Sequence, residues 1–390
     1  PKPKSGIRIS TLFWILIILG SGSTAYGLYE IYQLFTTFPP ELRADLRAGL
    51  KAKHDTNYRL SAKHFQKRAP AYDAALALDI DKFGTNPYLK ISGIAVALGE
   101  VLEKAQLAPA AFDAYKRAYE LLRDHRVVLS GPERLRGVAI AHKLGDLADA
   151  FSLGDAEEES WRVTAVEDAL RVARATDKHA PKPNGVQGAS SEDENARVVL
   201  AELELPRWLT TADIGAPIEA LGEFYARTGR VDYALPLYLQ AISLLIPPED
   251  SGKKGTLEDV CRGAQMMNNL SELILRGKLT PEKIHQAEAW ARKALEVIDK
   301  TKAGASYLSG VSMCEQATAV TLFNLATIRE MDKDTNSAKE LFQAAFDKSM
   351  QIGLRDGAMR AKLALQRIAR TERGATLVPP RADTPPTKPE

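Results

Sequence analysis

The hydropathy pattern changes character once, near residue 35. From Ile9 to Tyr29 no residue is charged, and Thr11 to Leu19 is almost wholly apolar. A helix rises ~1.5 Å per residue, so such a run just crosses a ~30 Å hydrocarbon core; the pattern predicts a membrane helix over residues 9–30. After Pro39-Pro40 the apolar positions become helical in period and recur in pairs. The clearest copy reads Leu221-Gly222, Tyr225, Gly229, Ala234, Tyr238, Ala241 and Pro247. A second uses Leu98-Gly99, Leu102, Ala111, Tyr115 and Ala118, and a third Leu325-Ala326, Ala338, Phe342 and Ala345. Small residues on one helix face large ones on the next, the arrangement two antiparallel helices need to touch.

Weaker copies fill the intervals. Leu144-Gly145, Ala148 and Trp161 form one with a stretched turn. Leu270-Ser271, Ile274, Ala287, Ala291 and Ala294 form another, lengthened by the turn from Arg276 to Pro281. Gly49, Ala52, Ser61 and Phe65 give a degenerate first repeat, with Pro70 disturbing its second helix. These spacings resemble the tetratricopeptide pattern of about 34 residues. The resemblance implies a superhelical solenoid of helix pairs over residues 41–370, and with the apolar run before it the chain reads as all-α: a single N-terminal transmembrane helix followed by that solenoid. Residues 1–8 form a short basic segment. His179 to Asn195 is polar and rich in turn formers, so it reads as a flexible insert at 179–195. From Thr371 the chain turns Pro-rich, which predicts a disordered tail over 371–390. The helix around Ala358 to Ile368 is expected to cap the last repeat.

Charge sets the expected orientation of the anchor. Lys2, Lys4 and Arg8 precede the apolar run with no acid among them, and Trp14, Tyr26, Tyr29 and Tyr32 occupy interfacial positions. This puts the N-terminus on the cytosolic or matrix side and the repeats opposite. A cleaved signal peptide, with Ser21 to Gly27 as its small-residue cleavage region, is the competing reading. Gly20 with Thr24, and Ser23 with Gly27, lie four apart; such spacing lets another helix approach closely, or is merely tolerated in a lone anchor.

Composition narrows the function classes. The chain has 390 residues, 45% of them hydrophobic, with 52 basic against 50 acidic residues and a net charge of +2. That near-balance argues against nucleic acid as a partner, since phosphate contacts need a basic excess on one face. The two cysteines, Cys261 and Cys314, cannot make a disulfide-rich scaffold of this length. They lack a nearby basic partner and read as buried helix cysteines. None of the six histidines has a second ligand at metal-site spacing, and HExxH, GxxxxGK[ST] and GxSxG are absent. Asn269-Leu270-Ser271 is a formal glycosylation sequon, but Leu270 is a core position. No enzyme, metal or cofactor is expected.

The inner groove offers the candidate site. In such repeats the first helix of each pair lines the concave surface. Its ninth position holds Glu100, Asp146, Glu223 and Glu272, with Thr327 in the last repeat; its twelfth adds Glu103, Asp149 and Glu330. Acids make up about an eighth of the chain, so the enrichment exceeds composition. The ladder suggests an acidic groove for basic or amphipathic extended segments; solvated helix faces are the alternative. Asn268 and Asn324 lie near the positions at which chaperone C-termini are clamped, but the accompanying Lys and Arg set is missing.

Three local stretches carry a closer likeness: Leu205 to Gly229 (LPRWLTTADIGAPIEALGEFYARTG), Cys261 followed by Met266 to Glu272 (MMNNLSE), and Cys314-Glu315 leading to Asn324-Leu325. With an anchor placed directly before the array, the chain resembles the fungal mitochondrial inner-membrane repeat proteins that serve as adaptor subunits of the i-AAA protease. The resemblance covers residues from about 10 to 370. It implies an N-terminus in the matrix and repeats in the intermembrane space. The implied partners are a membrane-anchored AAA protease, fellow adaptor subunits, unfolded client proteins and the lipid bilayer through one helix. It supplies no catalytic residues. An anchored import receptor, an assembly factor or a scaffold subunit of another membrane complex is the alternative.

Overall fold

The computed structural model describes Tyr26 and residues 37–66, 71–176, 205–247, 255–304 and 311–376. Gly20, Ser23, Thr24 and Gly27 and, Tyr26 apart, the whole run 9–30 lie outside them, as does the insert 179–195. Among the described residues no helix is long and apolar enough to cross a membrane. The described elements are all helical, in two compact units, Pro1–Trp161 and Arg162–Glu390.

The N-terminal unit contains α1 (Pro40–His54), α2 (Tyr58–Phe65), α3 (Ala71–Leu76), a 3-10 turn (Ile80–Phe83), α4 (Pro87–Lys104), α5 (Ala108–Asp124) and α6 (Gly131–Ala150); the unit boundary falls in α7 (Asp155–Thr176). Proline stands in the first turn of α1, α4, α5 and α6, where its missing N–H is no loss. The pairs α1–α2 and α4–α5 are antiparallel and tightly apposed. A Cβ on Gly49 would come within 2.9 Å of the Phe65 ring, and one on Gly99 within 2.8 Å of the Tyr115 ring. Only a residue without a side chain lets the two backbones approach that far. Ser61, also in this contact, donates its hydroxyl to the Gly49 carbonyl at 2.7 Å.

The C-terminal unit contains α8 (Thr211–Arg227), α9 (Val231–Leu245), α10 (Leu257–Ile274), α11 (Pro281–Gly304), α12 (Val311–Met331), α13 (Thr335–Gln351) and α14 (Arg355–Thr376). Capping boxes start α8 (Thr210 with Asp213) and α10 (Thr256 with Asp259). A Cβ on Gly222 would come within 3.1 Å of the Tyr238 ring in the pair α8–α9. Where the small position is Ser271, its hydroxyl donates to the Ala287 carbonyl at 2.6 Å. Ala326 packs with Phe342 in the pair α12–α13, and Ala364 and Ile368 of α14 close that cluster. Helix α14 continues to Thr376, past the start expected for the Pro-rich tail at Thr371.

One sequence reading needs correction. Cys261 and Cys314 are buried on helices, as expected, but they are not separate thiols. They form a disulfide between α10 and α12 with Cα atoms 5.0 Å apart. Inner helices of successive repeats lie side by side, so residues 53 apart in sequence meet near the start of each.

Candidate functional site

In the N-terminal unit the inner helices are α1, α4 and α6. Lys53 near the end of α1 bonds Glu100 near the end of α4 at 2.5 Å, and Lys143 of α6 bonds Glu103 of α4 at 2.9 Å. With Tyr88 at the start of α4 stacked on His125 just before α6, and Arg43 and Lys90 near the starts of α1 and α4 lining one hollow, contacts near both ends show that the three helices run parallel. Glu100 also receives Lys104 at 3.0 Å. The hydrogen bond from Lys53 holds the Glu100 carboxyl below its ordinary range, against the opposing effect of partial burial. Beneath them burial, and then the charges of Glu103 and Glu100, push the Tyr115 phenol well up. Asp146 lies 3.9 Å from the His142 ring, and Asp149 stands further along α6; both are exposed.

In the C-terminal unit Glu223 and Glu272 are brought together. They line a hollow of about 370 Å³ with Arg227, Tyr238, Asn269 and Arg276. Arg276 lies 3.8 Å from Glu272 and donates to the carbonyl of Ala226, joining the ends of α10 and α8. Burial raises the Tyr238 phenol pKa, with Glu223 adding to it. Glu330 is bonded by Arg367 of α14 at 2.5 and 3.1 Å. Asn268 is only 2% exposed and accepts a hydrogen bond from Asn324 at 3.2 Å, so it belongs to the seam between α10 and α12 rather than to the groove surface. Glu100, Glu103 and Glu330 are thus bonded to bases on neighbouring inner helices or on α14. Exposed pairs of this kind add about 0–1 kcal/mol each and chiefly fix register.

The sequence reading missed a different hollow. Between the N-terminal halves of α1 and α4 lies a cleft of about 650 Å³ with Phe65 of α2 in its lining. Phe38, Leu46 and Leu50 form one wall, and Leu89, Gly93 and Ala97 the other; among the described residues Arg43, Arg47 and Lys90 contribute the charged groups of the lining. A Cβ on Gly93 would have nothing within 4 Å. Leu50 is 49% exposed although it sits on an inner helix. The legible signal was the four-residue spacing Leu46–Leu50 beside Leu89–Gly93–Ala97. Among the described residues no group of His, Cys, Asp and Glu could hold a metal ion.

No family model matches the chain, and no curated protein matches it. Solved structures that it resembles include BtubC (BKLC) from P. vanneervenii, at 14% identity over 89% of this chain and 99% of that one, with a TM-score of 0.46. A STAND protein with a tetratricopeptide repeat sensor from Pyrococcus horikoshii matches at 10% identity over 86% of this chain and 43% of that one, TM-score 0.41. The TPR2AB-domain:pHSP90 complex of yeast Sti1 matches at 12% identity over 84% and 98%, TM-score 0.29. At these identities and scores they assign neither family nor ligand.

Proposed function

We propose that the chain is a non-catalytic, membrane-anchored adaptor of the mitochondrial inner membrane. Its N-terminus lies in the matrix and its repeats in the intermembrane space. It binds unfolded or misfolded proteins and presents them to the i-AAA protease, alongside fellow adaptor subunits. The observation that carries the binding role is the apolar cleft between α1 and α4, open above Gly93. A hollow of this size takes one or two large apolar side chains, which folded proteins hide and unfolded ones expose. In this reading the acidic ladder holds the inner helices in register, and its exposed members, Asp146, Asp149, Glu223 and Glu272, meet basic stretches of the client. The Cys261–Cys314 disulfide supports an oxidising compartment for the repeats, since cytosolic thiols are kept reduced.

The test is capture of an unfolded reporter by the purified full chain and by its Gly93→Leu variant. Leucine at position 93 fills open space and suits a helix better than glycine. Each client side chain excluded forfeits about 1.5–3 kcal/mol, so the apparent Kd should rise roughly 10- to 100-fold. Unchanged capture by a variant that melts normally would remove the cleft from the mechanism.

A further inference from the structure

The edge of the N-terminal unit at which its inner helices begin has a chemistry of its own. Because α1, α4 and α6 are parallel, their N-termini share that edge. Near each start a basic side chain turns back to a backbone carbonyl just before the helix. Arg43 Nε bonds Phe38 O at 2.7 Å, Lys90 Nζ bonds Phe83 O at 2.6 Å, and Arg134 Nε bonds Leu129 O at 2.9 Å. A cation at a helix N-terminus opposes the helix dipole, so helix stability does not explain the pattern. A neutral carbonyl also leaves the charge in place. Of the acids on this edge Glu41 is neutralised by Lys82 at 2.9 Å, whereas Glu133 and Asp79 bond neutral groups, the N-cap Ser130 and the backbone of Asp81, and keep their charge as the bases do.

Apolar surface lies beside these bases. Val127 and Val128, in the loop before α6, are 92% and 68% exposed, the most exposed large apolar side chains among the described residues. The loop is held at the edge by His125, whose ring stacks on Tyr88 of α4 with centroids 4.1 Å apart, and by buried Leu129. Together the two valines form a small apolar patch next to cations.

Thr37 and Phe38, at which the described residues resume, also lie here. The uncharged run ends at Tyr29, only a short stretch upstream. Even a fully extended chain gains at most ~3.6 Å per residue, so that stretch keeps the edge close to the end of the run. This last argument rests on the anchored reading; the valines and the bases do not.

We infer that this edge lies on the surface of an anionic bilayer. Val127 and Val128 enter the interfacial zone, and Arg43, Lys90 and Arg134 face the lipid phosphates. Apolar insertion beside cations is the combination that peripheral membrane surfaces use. It brings the mouth of the apolar cleft to the lipid surface, where an apolar segment leaves the membrane.

The experiment uses the full chain in vesicles, with Val128→Cys carrying an environment-sensitive fluorophore. The native cysteines are paired and buried, so labelling is selective. Ser152→Cys, at the far end of α6, is the control. In vesicles of phosphatidylcholine with phosphatidylglycerol the label at 128 should brighten several-fold and shift to the blue, and the label at 152 should not. Phosphatidylcholine alone should give a much weaker change. Combining Arg43→Gln, Lys90→Gln and Arg134→Gln should lower the apparent affinity roughly fivefold per base and flatten the salt dependence. Equal signals at 128 and 152, or equal signals in neutral and anionic vesicles, would overturn the inference. Alkaline extraction of the same vesicles keeps the anchor separate. Protein that resists extraction with a dark label at 128 overturns this inference alone; protein that is extracted yet lights up in anionic vesicles overturns the anchor alone.

Discussion

Two glycines on α4 should respond to alanine with opposite signs. Gly93 and Gly99 share a helix interior, so alanine gains about 0.8–1 kcal/mol of helix propensity at each. At Gly93 nothing opposes this, because the new methyl would have no neighbour within 4 Å; the variant should be stabilised by about 0.5–1 kcal/mol. At Gly99 the methyl would lie 2.8 Å from two ring carbons of Tyr115, which is 5% exposed. Either the ring leaves its place or α4 and α5 separate. Overpacking of this kind costs about 1–3 kcal/mol and exceeds the propensity gain. The net effect should be about 1 kcal/mol of destabilisation, and the two variants should differ by about 2 kcal/mol. Helix content followed by circular dichroism through a thermal melt resolves this, with roughly 2–4 °C of midpoint per kcal/mol. Midpoints that moved in the same direction would refute the view that close α4–α5 contact at Gly99 organises the repeat.

Three further outcomes follow from the same contacts. Reducing the Cys261–Cys314 bond frees a 53-residue loop, for which the chain-entropy account gives about 4 kcal/mol, so denaturant melts with and without reductant should differ clearly, and most in the C-terminal unit. Because the Glu100 pKa lies below its unfolded value, its contribution is present above that value and is lost as pH falls through the folded pKa. Glu100→Gln should therefore flatten the acid limb of a stability–pH profile, slightly because solvent screens the pair, and an unchanged limb would show the Lys53 contact to be inert. Gln106 holds the α4–α5 turn at a positive φ, the place Gly229 fills in α8–α9. Gln106→Gly should raise the melting midpoint by the equivalent of about 1 kcal/mol, and a lowered midpoint would show that the glutamine side chain supports the turn.

What the sequence disclosed follows from how each feature is encoded. Gly99 with Tyr115, and Gly222 with Tyr238, share one sequence spacing, set by two helices and the turn between them, so the pairs were legible as periodicity. Acids at fixed positions on inner helices were legible for the same reason. Their partners were not: Lys53 and Lys143 belong to other repeats, and only the stacking of α1, α4 and α6 brings them to Glu100 and Glu103. The Cys261–Cys314 bond was hidden likewise, since neither position alone says which inner helix lies beside it. The cleft escaped because it consists of what is missing, a side chain at Gly93 and a full-sized one at Ala97, and residues read for what they contribute do not announce a space. The short helix Ala71–Leu76 was not legible either, since it is held by a tertiary contact, Tyr72 donating to the Arg117 carbonyl at 3.1 Å.

The most direct measurement of the adaptor role is affinity purification of the tagged full chain from mitochondria in mild detergent, beside the Gly93→Leu variant, with the co-purifying proteins identified by mass spectrometry. The account predicts a membrane-anchored AAA protease with both forms, enriched when that protease is catalytically blocked, and unfolded clients with the native form alone. Translocase or respiratory subunits recovered with no protease would contradict it.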